Sequence, residues 1–385
     1  MTQARQRAEE FCDRFGLRLP ILQSPMAGAC PPELAIAVAE AGGMGASGVL
    51  QDLPERIEEW VEHFRSGSSG ALQLNIWIPD PPSHDQDRID AARQFLARFG
   101  TPGSSDSGPA PVFREQCEAM LTARPTVVSS IMGLFDVAYV RRLHEQGISW
   151  FACATTLHDA LAAQQAGADA IVAQGMEAGG HRGSFEQDAA DQIQVGLFAL
   201  LPRFADHLRV PVVAAGGISD GRGVAAALAL GASAVQVGTA LLRCPETGIS
   251  EQWSAALEGL APEATVTTRA YTGRLARAAP TPYLSAWIDP GAPRPAPFPD
   301  QLRLVSQWRR GKTNGLDKAN HWAGQSAALA TEEPAGEVIT RMWRDASALL
   351  GRPREDRAIV QEAAHGRNSN RHNVTAMIEK GQPHD

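Results

Sequence analysis

The chain has 385 residues, of which 44% are hydrophobic, 20% charged and 6% aromatic, and its formal net charge is −8. That apolar fraction suffices for a large core, while the acidic balance argues against a nucleic-acid coat or an anionic membrane as partner. Positive charge is almost all arginine. Lys312, Lys318 and Lys380 are the only lysines, so Schiff-base chemistry is confined to the last part of the chain.

The first residues, MTQARQRAEEFCDRFG, are polar and charged, unlike a signal or transit peptide. Short apolar runs rich in Val, Ile and Ala then alternate with helix-length segments, which predicts βαβ units and a parallel sheet. The expected strands are Ile21–Ser24, Met44–Ser47, Ala71–Ile76, Thr126–Ser130, Ser149–Cys153, Ala170–Ala173, Val212–Ala215 and Ala234–Val237. Eight is the number an α/β TIM (β/α)8 barrel needs. Several helices end in a Gly leading into the next strand, as in AEAGGMGASG, QQAGADAIVAQG and LALGASAVQVG. Gly after a helix adopts the left-handed conformation that closes it. The uncharged stretch 223–242 has the length of a membrane span. Its Ala/Gly content and internal polar residues read instead as a buried helix, a Gly stop and a buried strand.

Two segments break the rhythm. Residues 79–111 are rich in Pro, Asp, Ser and Gly and are expected to cover the strand ends, with one helix at Arg88–Phe99. Residues 244–321 are expected to form a smaller domain inserted after strand eight. Residues 1–243 and 322–355 then make the barrel, and 356–385 a flexible tail. Five scattered cysteines have no zinc spacing, and the histidines form no metal pattern, so reduced thiols in a cytoplasmic protein are expected.

Barrel chemistry belongs at the C-terminal ends of the strands. After strands seven and eight stand Gly216-Gly217 and Gly238-Thr239, each preceding a helix. Such turns offer backbone N–H groups and a positive dipole end to a phosphate, or serve only as tight turns. Asn75 and Gln174 are strand-end amides, suited either to the polar edge of a heteroaromatic ring or to the core. His181 follows four residues, Glu177-Ala178-Gly179-Gly180, three of them small, that leave room for a planar ligand. It is a candidate base, or an ordinary loop histidine. Glu177 is read as a solvated or ion-paired loop residue in preference to a second catalytic carboxylate.

The strings QSPMAGACPPELAIAVAEAGGMGASG (23–48), AGADAIVAQGMEAGGHRG (166–183) and PVVAAGGISDGRGVAAALALGASAVQVGTALL (211–242) together resemble the nitronate monooxygenase family, formerly called 2-nitropropane dioxygenase. The Asn of LQLNIWIP and the string AGQSAALATEEPAGEVI add to the likeness. The resemblance implies a TIM barrel with an added domain, non-covalent FMN, and oxidation of alkyl nitronates or nitroalkanes with O2. It implies His181 as the base, and FMN contacts at Met26, Ala27, Asn75, Gln174, Gly179, Gly217, Gln236, Val237, Gly238 and Thr239. It also implies pocket-shaping tyrosines and a lysine, for which Tyr271, Tyr283 and Lys312 are the candidates. The expected partners are a small-molecule substrate and O2, with no nucleic acid or membrane, and a homodimer is one assembly to test. Flavin-dependent, NAD(P)H-linked enoyl-acyl-carrier-protein or quinone reductases resemble the same strings. A non-redox phosphate-binding barrel is the third alternative.

Overall fold

The computed structural model describes residues 2–81, 85–104, 110–313 and 319–351. The expected tail at 356–385 lies outside these residues, as do parts of the Pro-rich cover.

Eight parallel strands form the barrel: β1 (Ile21–Gln23), β2 (Gly45–Gly48), β3 (Leu72–Trp77), β4 (Val127–Ile131), β5 (Ser149–Ala154), β6 (Ala170–Gln174), β7 (Val212–Ala215) and β8 (Ala234–Val237). Consecutive strands pair in parallel, β8 pairs with β1, and a single bridge from Leu22 to Met44 joins β1 to the β2 side. The (β/α)8 barrel expected from the sequence is therefore present. Successive side chains alternate between its two faces. On β3, Leu72, Leu74 and Ile76 join the core under the helices, while Gln73, Asn75 and Trp77 face a central cavity.

The barrel interior has an apolar lower half, built from Leu22, Met44, Val127, Phe151, Val172, Val213 and Ala234. The helix Gln3–Phe15 plugs this end. Its buried residues Ala8, Phe11, Cys12 and Phe15 recur at helical spacing. The rings of Phe11 and Phe15 lie 6.2 and 5.0 Å from Phe151. At the far side the helix Ala335–Leu349 packs against both Pro32–Glu40 and Gly221–Ala229, filling the last helix position of the ring. Close approach is possible because Gly221 has no side chain. A Cβ there would stand 2.5 Å from Asp345 Cβ.

The uncharged stretch resolves into the helix Gly221–Ala229, Gly231 at φ +111°, and β8. Among the described residues no helix is long and apolar enough to cross a membrane.

The two segments that break the barrel rhythm meet each other. The helix expected at Arg88–Phe99 runs from Gln86 to Ala97, because the Asp85 side chain accepts from Arg88 N and sets its start. Ile89 and Phe95 of this helix share an apolar core with Tyr283, Trp287, Val305 and Trp308. The strands Gly100–Thr101 and Lys312–Thr313 pair as well. A hairpin of Val266–Thr268 and Ala276–Ala278 is joined by Gly180–His181 as its third strand. That pairing ties these two segments, together the cap, directly to the loop after β6.

Candidate active site

A cavity of about 450 Å³ opens at the C-terminal ends of the strands, under the cap. Met26, Ala27, Asn75, Gln174, Gly179, His181, Gly217, Gln236, Gly238 and Thr239 all border it. Val237 does not. Strand alternation turns its side chain into the core beneath the helices, and its carbonyl accepts from Ser24 N at 2.8 Å. The Val237 side chain thus lies away from the cavity.

One end of the cavity is built of glycines and hydroxyls. Gly216 (φ +112°) and Gly217 (φ +68°) hold the left-handed backbone that favours glycine. The Ser219 and Ser326 hydroxyls bond at 2.7 Å, and Thr239 Oγ1 accepts from Gly324 N at 3.0 Å. Gly179 leaves no space for a larger residue. A Cβ there would stand 2.5 Å from Gly324 N. The segment 322–326 thus closes onto the loops after β6 and β8.

The middle of the cavity is polar. Gln73 and Asn75 both donate to Ser129 Oγ, at 2.8 and 2.9 Å, and so lie on one network across β3 and β4. Gln174 has a different role from a free ring-edge amide. Its Nε2 donates to His181 O at 2.9 Å, and its Oε1 accepts from Gly183 N at 2.8 Å. Gln174 therefore fixes the loop that carries His181. Glu177 is not the solvated or ion-paired residue expected. Its Oε1 accepts from Leu197 N at 2.9 Å, at the start of the helix Leu197–His207, where the orphan N–H groups and positive dipole end attract a carboxylate.

His181 stands between two indoles. Its ring centroid is 4.4 Å from Trp77 and 4.8 Å from Trp322, both edge-on. Nε2 lies 2.9 Å from Thr272 Oγ1. Burial in this setting, then the charge of Arg274, pushes the His181 pKa down to about 3. The imidazole is neutral at physiological pH. Arg274 is 1% exposed, ion-paired to Asp80 at 2.5 Å, and lies over the rings of Trp77 and Phe298.

Tyr271 and Tyr283 do not reach the cavity. They stack on each other at 5.0 Å, with Tyr271 behind Trp322, and their hydroxyls bond to Thr281 and to Ala270 O. Lys312 lies on the outer strand pair. The helix Asp300–Arg310 instead supplies Leu302, Ser306 and Arg309 to the wall. Cys153 borders the cavity too, but burial pushes its thiol up to about 12, so it is no thiolate nucleophile. No group of His, Cys, Asp or Glu among the described residues could hold a metal ion.

Trp77, Thr272, Arg274 and Trp322 are the site residues that sequence reasoning missed. Trp77 was accessible to it, lying two residues beyond Asn75 on the same face of β3. The other three come from the cap and the segment after it, where no barrel periodicity points.

The nitronate monooxygenase family model matches residues 9–345. The chain is 38% identical over 342 residues to a nitronate monooxygenase of Paraburkholderia phytofirmans, covering 86% of this chain and 93% of that one. It is 37% identical over 344 residues to one from Pseudomonas aeruginosa, covering 86% and 97%. Among solved structures, nitroalkane oxidase from Streptomyces ansochromogenes superposes with a TM-score of 0.76 at 32% identity, over 87% and 97% of the two chains. FabK from Thermotoga maritima superposes with a TM-score of 0.68 at 27% identity, over 89% and 96%. Barrel, cavity and relatives agree: the chain belongs to the nitronate monooxygenase family of oxidoreductases.

Proposed function

We propose that this protein oxidises alkyl nitronates with O2 to a carbonyl compound and nitrite, with FMN as its bound cofactor, in the cytoplasm. The observation that carries the reading is a neutral histidine held between two indoles above a cavity that ends in a glycine and hydroxyl cradle.

The donor set fits FMN. Gly217, Gly238 and Thr239, with Ser219 and Ser326, suit a phosphate in a place where backbone N–H groups replace cationic side chains. Asn75, Gln73 and Gln236 offer amides to the polar edge of a flavin ring, and Met26 and Ala27 supply apolar surface. Gln174 acts on the same site through the loop it holds. Bound there, the flavin supplies the electron transfer between substrate and O2. Trp77, Trp322 and Leu302 exclude water from the space beside His181. The neutral His181 accepts a proton from a nitroalkane carbon, a step that an already deprotonated nitronate does not need. The Arg274 charge behind Trp77 favours the anion. Five buried free thiols support a reducing compartment.

A visible spectrum of the purified protein tests the cofactor, and a colourless protein that fails to bind FMN would overturn it. Mixing with propionate 3-nitronate should then consume O2 without a nicotinamide. Rapid anaerobic oxidation of NADH, with no nitronate-dependent O2 uptake, would move the assignment to a reductase.

A further inference from the structure

His181 is gripped from the cap by backbone and side chain together. Ala276 pairs opposite His181 in the antiparallel sheet, and Arg182 N donates to Leu275 O at 2.8 Å. The turn of the same hairpin carries Thr272, which is 4% exposed and borders the cavity. Gly273 makes this turn tight. It has φ +86°, and a Cβ there would meet Phe298 N at 2.5 Å. Thr272 Oγ1 is therefore fixed in position, 2.9 Å from His181 Nε2. The same oxygen accepts from Arg274 N at 3.3 Å and lies 3.4 Å from Arg274 O, an acceptor for its own hydrogen.

A neutral imidazole carries one N–H and one lone pair, and the partner of one nitrogen decides which is which. Among the described residues the only hydrogen-bond partner of the His181 ring is Thr272 at Nε2. A base needs a lone pair that the protein has not already occupied. We propose that Thr272 is a positioning residue that holds His181 as the Nε2–H tautomer. Nε2–H donates to Thr272 Oγ1, the hydroxyl donates to Arg274 O, and Nδ1 keeps the lone pair. The catalytic consequence rests on the nitronate and nitroalkane reading above. Nδ1 takes the proton from the carbon bearing the nitro group, the C–H electron pair stays on the resulting nitronate, and the imidazolium keeps its Nε2–H bond to Thr272.

The test is 15N NMR of histidine-labelled protein as purified, without substrate, with the His181 ring signals identified by their loss in His181→Asn. The wild type should show protonated Nε2 and unprotonated Nδ1. Thr272→Val, which removes the hydroxyl at nearly constant shape, should give a mixture of tautomers, and Thr272→Ser should restore the single form. Nitroalkane kcat should fall in the valine variant by the factor by which the Nε2–H fraction falls, about twofold for an even mixture, and recover in the serine variant. A wild-type signal from the Nδ1–H tautomer would overturn the proposal, as would a valine variant with an unchanged tautomer. If the valine variant does not fold, the wild-type and serine spectra still decide. An Nε2–H signal in a protein that turns over no nitronate would support the tautomer and sink the functional reading instead.

Discussion

On the proposed reading the chemistry turns on His181, and its surroundings separate two substrates. A group with a pKa near 3 is a weak proton acceptor, so an already deprotonated nitronate asks less of it than a neutral nitroalkane. His181→Asn should lower nitroalkane turnover by about 10²–10⁴ and nitronate turnover far less. Steady-state kinetics on both substrates check this, and equal losses would remove the base from the mechanism. The same setting predicts the response to acid. The folded-state pKa is depressed below the unfolded value of about 6.5, so the neutral form contributes stability above that value. This contribution is lost as pH falls from about 6.5 towards 3, where the unfolded chain binds the proton first. Urea midpoints measured across that range should fall more steeply for the wild type than for His181→Asn. Gln174 offers a second residue-level test. Gln174→Leu strips partners from both His181 O and Gly183 N. It should cost about 1–3 kcal/mol in urea unfolding and disturb the His181 ring through its backbone. An unchanged midpoint would mean that water replaces the amide.

At the scale of elements, the N-terminal helix and the cap divide stability from function. Helix Gln3–Phe15 closes the end of the barrel remote from the cavity, where side chains serve packing alone. Phe11→Ala deletes a ring buried against Phe15 and Phe151 and should destabilise by about 3–5 kcal/mol, with kcat near wild type at a temperature where the variant stays folded. A change in kcat without a loss of stability would show that the plug communicates with the cavity. This helix carried its own signal in the sequence. Ala8, Phe11, Cys12 and Phe15 recur at i, i+3, i+4 and i+7 inside a charged segment, so the charge masked the stripe. The barrel strands were easier to read, because most are short apolar runs with a glycine close to one end. The cap was harder. Its core joins residues near 90 with residues near 300, a pairing that local periodicity cannot express. For the same reason Thr272, Arg274 and Trp322 escaped notice, although each lies close to His181. Asn75 and Gln174 were legible as strand-end amides, but that Gln174 grips a loop depends on a tertiary contact.

For the molecule as a whole, the net charge of −8 says little about the site. An anionic cofactor phosphate would be held by glycine backbone and hydroxyl groups, which charge counting does not register. More informative is that barrel and cap meet around one cavity. The loops after β6, β7 and β8 form one side, and Thr272, Trp322, Gly324 and Ser326 the other. A ligand that fills this space contacts both, so its binding free energy is shared between them. Flavin removal should therefore act unevenly. In hydrogen exchange, the apoprotein should open faster at Gly180–His181, Ala276–Ala278 and residues 322–326. The apolar lower half of the barrel, packed on Phe11 and Phe15, should exchange as before. Returning FMN at a hundred times its Kd should restore about 2.7 kcal/mol. Riboflavin, which has no phosphate to meet Gly217, Gly238 and Thr239, should need a far higher concentration for the same effect. If apoprotein exchange rises equally over all eight strands, the ligand stabilises the barrel globally and the cavity is not a hinge point between two parts. If riboflavin matches FMN, the glycine and hydroxyl end does not bind phosphate.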